Sequence, residues 1–445
     1  MERLTPHMTK ALKGPLFTWK NASDLMRTAQ GAALAMVLSL CAASAFARDV
    51  PVSNAEELQA ALQEAGGGDR LLLQAGNYGR LSMWPGGKID PRFDGTVTIQ
   101  SADPKQPAVF TELDLSKARN IVFQNLVFDF QAEAGKPSYH RSFEIKNSAD
   151  IAVLGSLFDG DDAHGVGPKA DGYPTGIGLS LRKSDRIRVE NNVFRNFYRG
   201  LTMGQSDGSI VRGNDISGIR SDCMTFVQVT NLLIENNHLH DFRRSPTAGD
   251  HADMIQFWTY GTKIPTSNVT IRGNVLNIGN GDDTQSLFMR NEAVDSQDGG
   301  KLMYYRDILI EDNIIINGHL HGITIGETNG LTIRNNTLIR VPRTGPAKES
   351  IARGSKTWMP RINVSKNSVN VTLEGNIAPK IKEQPGWKVE NNLAIQDTSL
   401  MEPGHYTRVF QNGLADKPYA VENYIAKPGG PADRPGLGAA RLSRY

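Results

Sequence analysis

Cysteine is nearly absent from this chain: Cys41 and Cys223 are the only two in 445 residues. A disulfide framework is thereby excluded as the source of stability. Charge of one sign is missing as well. The 49 Lys and Arg stand against 47 Asp and Glu, and leaving out residues 1–47 gives 44 against 45. So even a balance gives no support for nucleic-acid binding, and attraction to an anionic partner would have to be local. No apolar run reaches the ~20 residues of a membrane-spanning helix. Helical periodicity of useful length is also lacking between the apolar segments, which disfavours alternating strands and helices.

What is present begins with "AALAMVLSLCAASAFA", Ala32 to Ala47, a short apolar run behind Arg27 that ends in Ala-Phe-Ala. This reads as an export signal over residues 1–47, cleaved after Ala47, with Met26-Arg27 the more ordinary start. A lipoprotein reading of Cys41 ranks second, because Leu40 stands where lipid attachment wants a small residue. The expected product is periplasmic or secreted, free of the membrane, and carries one thiol, Cys223.

The strongest signal is a recurring phrase: "RIRVENNVF", "GSIVRGNDI", "NLLIENNHL", "NVTIRGNVL", "DILIEDNII", "GLTIRNNTL" and "NVTLEGNIA". Alternation with period two, rich in Val, Ile and Thr, argues for strand. The repeated Asn falls at 192, 214, 237, 274, 313, 336 and 376, a base period near 22 that is sometimes lengthened by about 15 or more. Asn at the break suits a tight bend, since it tolerates left-handed backbone angles. Several short strands per ~22-residue turn, with Asn stacked at each bend, predict an all-β parallel β-helix, a β-solenoid, over residues 48–395. Ser53, three residues before Glu56, predicts a short N-terminal helix capping the first coil. The Pro/Gly-rich tail, 396–445, has no repeat and is expected to wrap the far end or stay loose.

On these repeats the chain resembles the right-handed parallel β-helix superfamily of pectate lyases, alginate lyases, chondroitinases and mannuronan epimerases. The resemblance spans about residues 50–395 and implies the fold; for function it is suggestive only.

A second set of strands precedes the phrases, starting at Phe143, Leu179, Leu201, Met224, Ile255, Leu287, Ile323 and Ile362. Aligning their inward apolar pairs generates outward columns, with coils ~4.8 Å apart. One column reads Glu144, Ser180, Thr202, Thr225, Gln256, Phe288, Thr324, Asn363; the next includes Lys146, Arg182, Trp258 and Arg290. A third, two residues ahead, reads Arg141, Ile177, Arg199, Asp222, Asp253, Gln285, His321. Lys146 and Arg182 would repel unless something anionic lies over them. Insertions at 238–252, 259–268, 291–306 and 341–358 are expected to wall a groove on this face. Stacked Thr202, Thr225 and Ser180 are ordinary solenoid architecture. The convergence of residues 250–258, 282–292 and 319–327 is harder to ascribe to architecture alone.

These residues suit β-elimination on a uronate-containing polysaccharide. The proton beside a carboxylate becomes acidic only when a cation holds that carboxylate. Arg290 is the expected clamp, by its bidentate fork. His321 and His251 are the expected base and acid, with His319 as substitute in either role and Asp253 or Asp250 orienting a ring. Trp258 would stack on a sugar, with Gln256, Gln285, Glu292, Lys146 and Arg182 lining subsites. No cofactor is called for; Ca2+ could be held by Asp222, Asp253 or Glu327. The partner is an acidic polysaccharide, not nucleic acid, and the protein is expected to be a monomer. Within the resemblance, Lys146 and Arg182 are placed similarly to the lysine–arginine pair of alginate lyases and chondroitinases. "DHAD" at 250–253 loosely resembles the acidic-histidine motif of mannuronan epimerases, and "HGITIGETNG" from His321 is similar to their following coils. Three alternatives stay open. They are C5-epimerisation, hydrolysis using Asp222, Asp253, Asp250, Asp282 and Asp283, and a non-catalytic glycan-binding solenoid.

Overall fold

The protein is described by a computed structural model over residues 47–341 and 359–444. The expected export signal and the insertion at 341–358 therefore fall almost wholly outside the described residues. No helix among the described residues is long and apolar enough to cross a membrane.

Most coils are made of three short strands that pair in parallel with their counterparts in the coils before and after, and a small antiparallel pair, Asp161–Asp162 with Pro174–Thr175, stands apart. Coil after coil, one strand set runs through Phe143–Lys146, Ile177–Arg182, Arg199–Asp207, Met224–Glu235, Asp253–Phe257, Gln285–Met289, His321–Ile325 and Arg361–Val364. The other two sets carry the two halves of the repeated phrase, for example Ser267–Arg272 and Val275–Asn277. This is a parallel β-helix. The outward columns run as the apolar pairs dictate: Ser180 faces Glu144 and Thr202, Thr225 faces Gln256, and Phe288 faces Gln256 and Thr324.

The core is a stack. Phe128, Phe158 and Phe194, one per coil, lie face to face with ring centroids 4.5 and 4.4 Å apart. Isoleucines and valines fill later coils at full burial, among them Ile255, Ile271, Ile310, Ile323 and Ile333.

The repeated asparagine is buried and does not itself take the bend. The left-handed residue is the one before it: Asn191, Gly213, Asn236, Gly273, Asp312, Asn335 and Gly375 all have φ between 54° and 64° or close to it, at 52° for Asn391. Each following Asn turns inward and stacks. Asn192 Nδ2 donates to Asn214 Oδ1 at 3.0 Å, Asn214 to Asn237 at 2.9 Å, and so on through Asn274, Asn313, Asn336, Asn376 and Asn392. The second hydrogen of each amide reaches a backbone carbonyl of the preceding coil, as Asn237 does with Val211 at 3.0 Å. Each Oδ1 also accepts the backbone N–H of the preceding ladder residue, as Asn274 Oδ1 does from Asn237 at 2.9 Å. The "NN", "GN" and "DN" dipeptides thus divide two tasks, a positive φ and a satisfied buried amide.

The cap on the first coil is a helix, Ala55–Glu64, but its N-cap is Asn54, one residue beyond Ser53. Asn54 Oδ1 accepts from the Glu57 amide at 2.9 Å, and Glu57 reaches back to the Ser53 amide at 2.8 Å. Asn caps as well as Ser, so the box simply shifts by one position.

The tail does not stay loose. Residues 47–445 form one compact unit, and Tyr406, Phe410 and Tyr424 bury against each other edge to face. From there the chain runs back along earlier coils. The amide of Arg340 donates to Tyr406 Oη at 2.8 Å, the amide of Ala439 to Thr337 Oγ1 at 2.9 Å, and Arg441 Nη1 to the Gly273 carbonyl at 2.9 Å. Removing residues 396–445 is expected to leave the last coils fraying, with faster amide hydrogen exchange at 361–394 than at 187–217; equal protection in the two regions would show that the tail adds nothing.

Candidate functional site

The outward face of the first strand set carries a cleft of about 400 Å³. Five cations line it, Arg141, Lys146, Arg182, Lys183 and Arg199, with Trp258, Tyr260, Ser180, Thr202 and Thr225. No carboxylate is among those lining residues. One wall is the insertion after Trp258, which contributes Tyr260, Gly261 and Thr262. Its amides are pinned by neighbouring coils, Lys263 to Gln228 and Gly261 to Gln297, both at 3.0 Å.

Lys146 and Arg182 do not repel as their adjacency suggested. Glu144 lies between them and takes Lys146 Nζ at 3.2 Å and Arg182 Nε at 3.0 Å, while Asp114 takes Lys146 at 2.8 Å. Lys146 and Arg182 are thus paired and still line the cleft.

At one corner of the cleft Arg199 and Thr225 reach a buried carboxyl. Arg199 Nε lies 2.9 Å from Asp222 Oδ2, and Thr225 Oγ1 donates to the same oxygen at 3.3 Å. Asp253 follows Asp222 in the next coil, and both are fully buried. Burial, opposed by Arg199 and reinforced by Asp253, pushes the Asp222 carboxyl up to about 7. Burial also raises Asp253, although His251 pulls the other way. Oδ1 of each has no hydrogen-bond partner among the described residues. Two adjacent carboxyls with unpaired oxygens cannot both ionise cheaply, so they hold a proton between them near neutral pH.

His251 stands half-exposed above this pair. Its Nδ1 bonds Asp253 Oδ2 at 2.7 Å, and that contact raises the imidazole above its ordinary value. Its Nε2 meets the side-chain amide of Gln285 at 2.8 Å. An amide can present either its oxygen or its nitrogen, so Gln285 accommodates both protonation states of His251. Asp253, not Asp250, is the orienting carboxylate. Asp250 is turned to the buried guanidinium of Arg220 at 2.8 Å.

Two coils further on, His321 bonds Thr324 Oγ1 through Nδ1 at 2.9 Å. Burial first, then Arg361, lowers its imidazole to about 4. Phe288 lies between the histidines, 5.8 Å from the His251 ring and 5.0 Å from that of His321. The surface thus offers an imidazole raised by its carboxylate partner, an aromatic ring and an imidazole lowered by burial in a row. His319 stacks on His321 at 5.4 Å and its Nδ1 accepts the His321 amide at 3.2 Å, so its ring serves as a support.

Arg290 is not brought to this row. It lies two residues past Phe288, beyond the end of that strand, and its Nε is held by Asp295 at 2.8 Å. The guanidinium groups that flank the row are Arg199 beside Asp222 and Arg361 opposite His321. Glu292, expected in a subsite, accepts the Thr259 amide at 2.8 Å and so fixes the wall loop. Glu327, expected as a metal ligand, takes Ser365 Oγ at 2.8 Å beyond the end of the His321–Ile325 strand. Gln256 and Trp258 stay on the cleft face.

Ligand atoms of Asp222, His251 and Asp253 lie within 4.8 Å of one another and could hold a cation. Calcium wants six to eight oxygens, and one imidazole with two carboxylates is a donor set for a zinc-class ion. For Ca2+ this is a poor fit.

Sequence reasoning missed Tyr260, Arg244 and Arg361. Arg361 enters the column through a register shift between His321 and Ile323, so counting two residues back from Ile362 passes it by. Arg244 comes from an insertion and reaches the Asp250 and Asp283 carbonyls at 2.8 and 2.7 Å; no periodicity marks it.

A family model described as "Right handed beta helix region" matches residues 164–282. No curated protein matches the sequence. Among solved structures, PfbA, a surface adhesin of Streptococcus pneumoniae, is 12% identical over 76% of this chain and 84% of its own, with TM-score 0.46. An alginate lyase from Paenibacillus sp. str. FPU-7 is 12% identical over 78% and 99%, with TM-score 0.32. The mannuronan C-5 epimerase AlgE6 A-module of Azotobacter vinelandii is 14% identical over 78% and 100%, with TM-score 0.33. These names span an adhesin, a lyase and an epimerase, and the choice for this chain rests on its own residues.

Proposed function

We propose that this protein is a polysaccharide lyase that cleaves a uronate-containing polymer by β-elimination, exported to the periplasm or beyond. One observation carries the reading: a cleft lined, among the described residues, by five cations and no carboxylate leads onto a face where His251 is bonded to the Asp253 carboxylate and His321 to the Thr324 hydroxyl. A polyanionic chain is held by the cations and stacked on Trp258 and Tyr260. Arg199 or Arg361 neutralises the uronate carboxylate, which makes its α-proton acidic. His321, neutral at pH 7, takes that proton through Nε2, and the carbon–oxygen bond to the leaving sugar breaks as the double bond forms. His251, whose affinity for a proton is raised by its bond to Asp253, gives its proton to the departing oxygen. Pairs of groups whose environments push their pKa values apart are the usual division of acid and base.

The raised Asp222 carboxyl favours a second reading, hydrolysis with Asp222 as general acid. The assay that separates them incubates the protein with polygalacturonate, alginate and glycosaminoglycans while absorbance of the unsaturated sugar is followed. Elimination gives that absorbance together with new reducing ends. Reducing ends without absorbance would replace the proposal with hydrolysis. Altered uronate stereochemistry without cleavage would replace it with epimerisation, and binding alone with a glycan adhesin.

A further inference from the structure

The third strand set, whose outward face is distinct from that of the cleft, carries a second cluster that the proposed reaction does not use. In "HLHDF" the strand His238–His240 buries Leu239 and turns both histidines outward. Asp215, in the coil before, stands directly opposite His238. Its two carboxylate oxygens lie 3.1 Å from His238 Nδ1 and 3.2 Å from His240 Nε2. The imidazoles are nearly parallel, with centroids 4.1 Å apart. Ligand atoms of all three residues lie within 4.8 Å of one another.

A second feature separates this cluster from a chance ion pair. The other nitrogen of His240, Nδ1, is held by Asp241 Oδ2 at 2.6 Å, and Asp241 is itself fixed by the Asn280 amide at 2.7 Å. A carboxylate behind a histidine, anchored in turn by a backbone donor, aims the remaining nitrogen and raises its basicity, as outer-shell partners of metal ligands do. Two imidazoles at i and i+2 on a strand, with one carboxylate across the ladder, form a three-ligand set that leaves coordination positions for water.

We propose that Asp215, His238 and His240 form a binding site for a zinc-class divalent transition metal, with Asp241 as the residue that positions His240. The ion would clasp one coil to the next, since Asp215 and the histidines belong to successive turns.

The test uses the full chain, freed of metal and titrated with ZnCl2 by calorimetry and with CoCl2 by visible absorption. One equivalent is expected to bind at this site at micromolar concentration, with cobalt giving the d–d bands of a low-coordinate nitrogen and oxygen site; any further equivalent held by Asp222, His251 and Asp253 is the one that His251→Ala removes. His240→Gln and Asp215→Asn are expected to abolish the bands, and Asp241→Asn to weaken binding roughly 10- to 100-fold. His251→Ala, which removes the imidazole at the cleft corner, is expected to leave them intact. No binding up to millimolar metal would overturn the proposal. So would binding unchanged in both His240→Gln and His238→Gln, or binding lost in His251→Ala, which would place the ion at Asp222 and Asp253. Far-UV circular dichroism of each variant, with His238→Gln as the independent second ligand change, separates loss of the site from loss of the fold.

Discussion

His251→Ala is expected to lower kcat on a uronate polymer by ~10²–10⁴-fold, the usual share of a positioned acid–base group, while the thermal midpoint moves little. The ring is half-exposed, and among the described residues only Asp253 and Gln285 bond it. His321→Ala is expected to cost a similar factor. The pH profile makes the assignment sharper. The base works when deprotonated, so the rate rises as pH passes the lowered value of His321, about 4. The acid works when protonated, so the rate falls as pH passes the value of His251, raised above the ordinary 6.5. The profile is therefore a bell whose plateau lies between those two values, and binding of an anionic substrate moves both limbs upward. His251→Ala should erase the alkaline limb and His321→Ala the acid limb. Arg290→Ala, at a guanidinium tied to Asp295, should stay within about threefold of wild type, whereas Arg199→Ala should not; these factors follow from whether a cation lies at the reacting carboxylate. Rates in His251→Ala and His321→Ala within about threefold of wild type would remove both from the chemistry.

The second large effect concerns stability. Asn274→Ala is expected to destabilise the protein by ~3–5 kcal/mol, because it strips partners from several buried groups at once. The amide N–H and Nδ2 of Asn237 both lose Asn274 Oδ1, and the carbonyl of Ile234 loses a donor. Against a typical domain stability of ~5–15 kcal/mol this is a large fraction. The change is read from the urea midpoint and from hydrogen exchange in the flanking coils. Asn274→Asp would keep an acceptor for Asn237 but turn a second acceptor toward Ile234 and Asn313, and is expected to be no better tolerated. A midpoint shift worth less than ~1 kcal/mol would mean that the ladder is mere decoration on a core held by its isoleucines.

The coils were legible because a period-two strand pattern admits one register once its apolar pairs are aligned. That is why Gln256, Phe288 and Thr324 stand where the alignment places them. Pairings that depend on side-chain reach were less so. Sequence spacing puts Arg290 on the right face but says nothing of Asp295, which holds it. It likewise hides the Glu144 carboxylate between Lys146 and Arg182 and the one-residue shift that brings Arg361 beside His321. In the repeated dipeptides, the position of the left-handed bend and the position of the stacked amide differ by one residue, which composition alone does not separate. The pairing of His251 with Asp253 was readable, since two residues apart on an extended stretch share a side.

Along the ladder, successive asparagines are 22, 23, 37, 39, 23 and 40 residues apart in the chain. In space the amides remain 2.9–3.0 Å apart throughout. Loop length is thus uncoupled from rise per turn: up to about 18 extra residues leave the scaffold undisturbed, and lengthening a loop carries only a slow entropic cost. One of these variable segments, the insertion after Trp258, borders the cleft with Tyr260, Gly261 and Thr262. Such a molecule can exchange its rim, and with it the polymer it admits, by insertion and deletion, without renegotiating its interior.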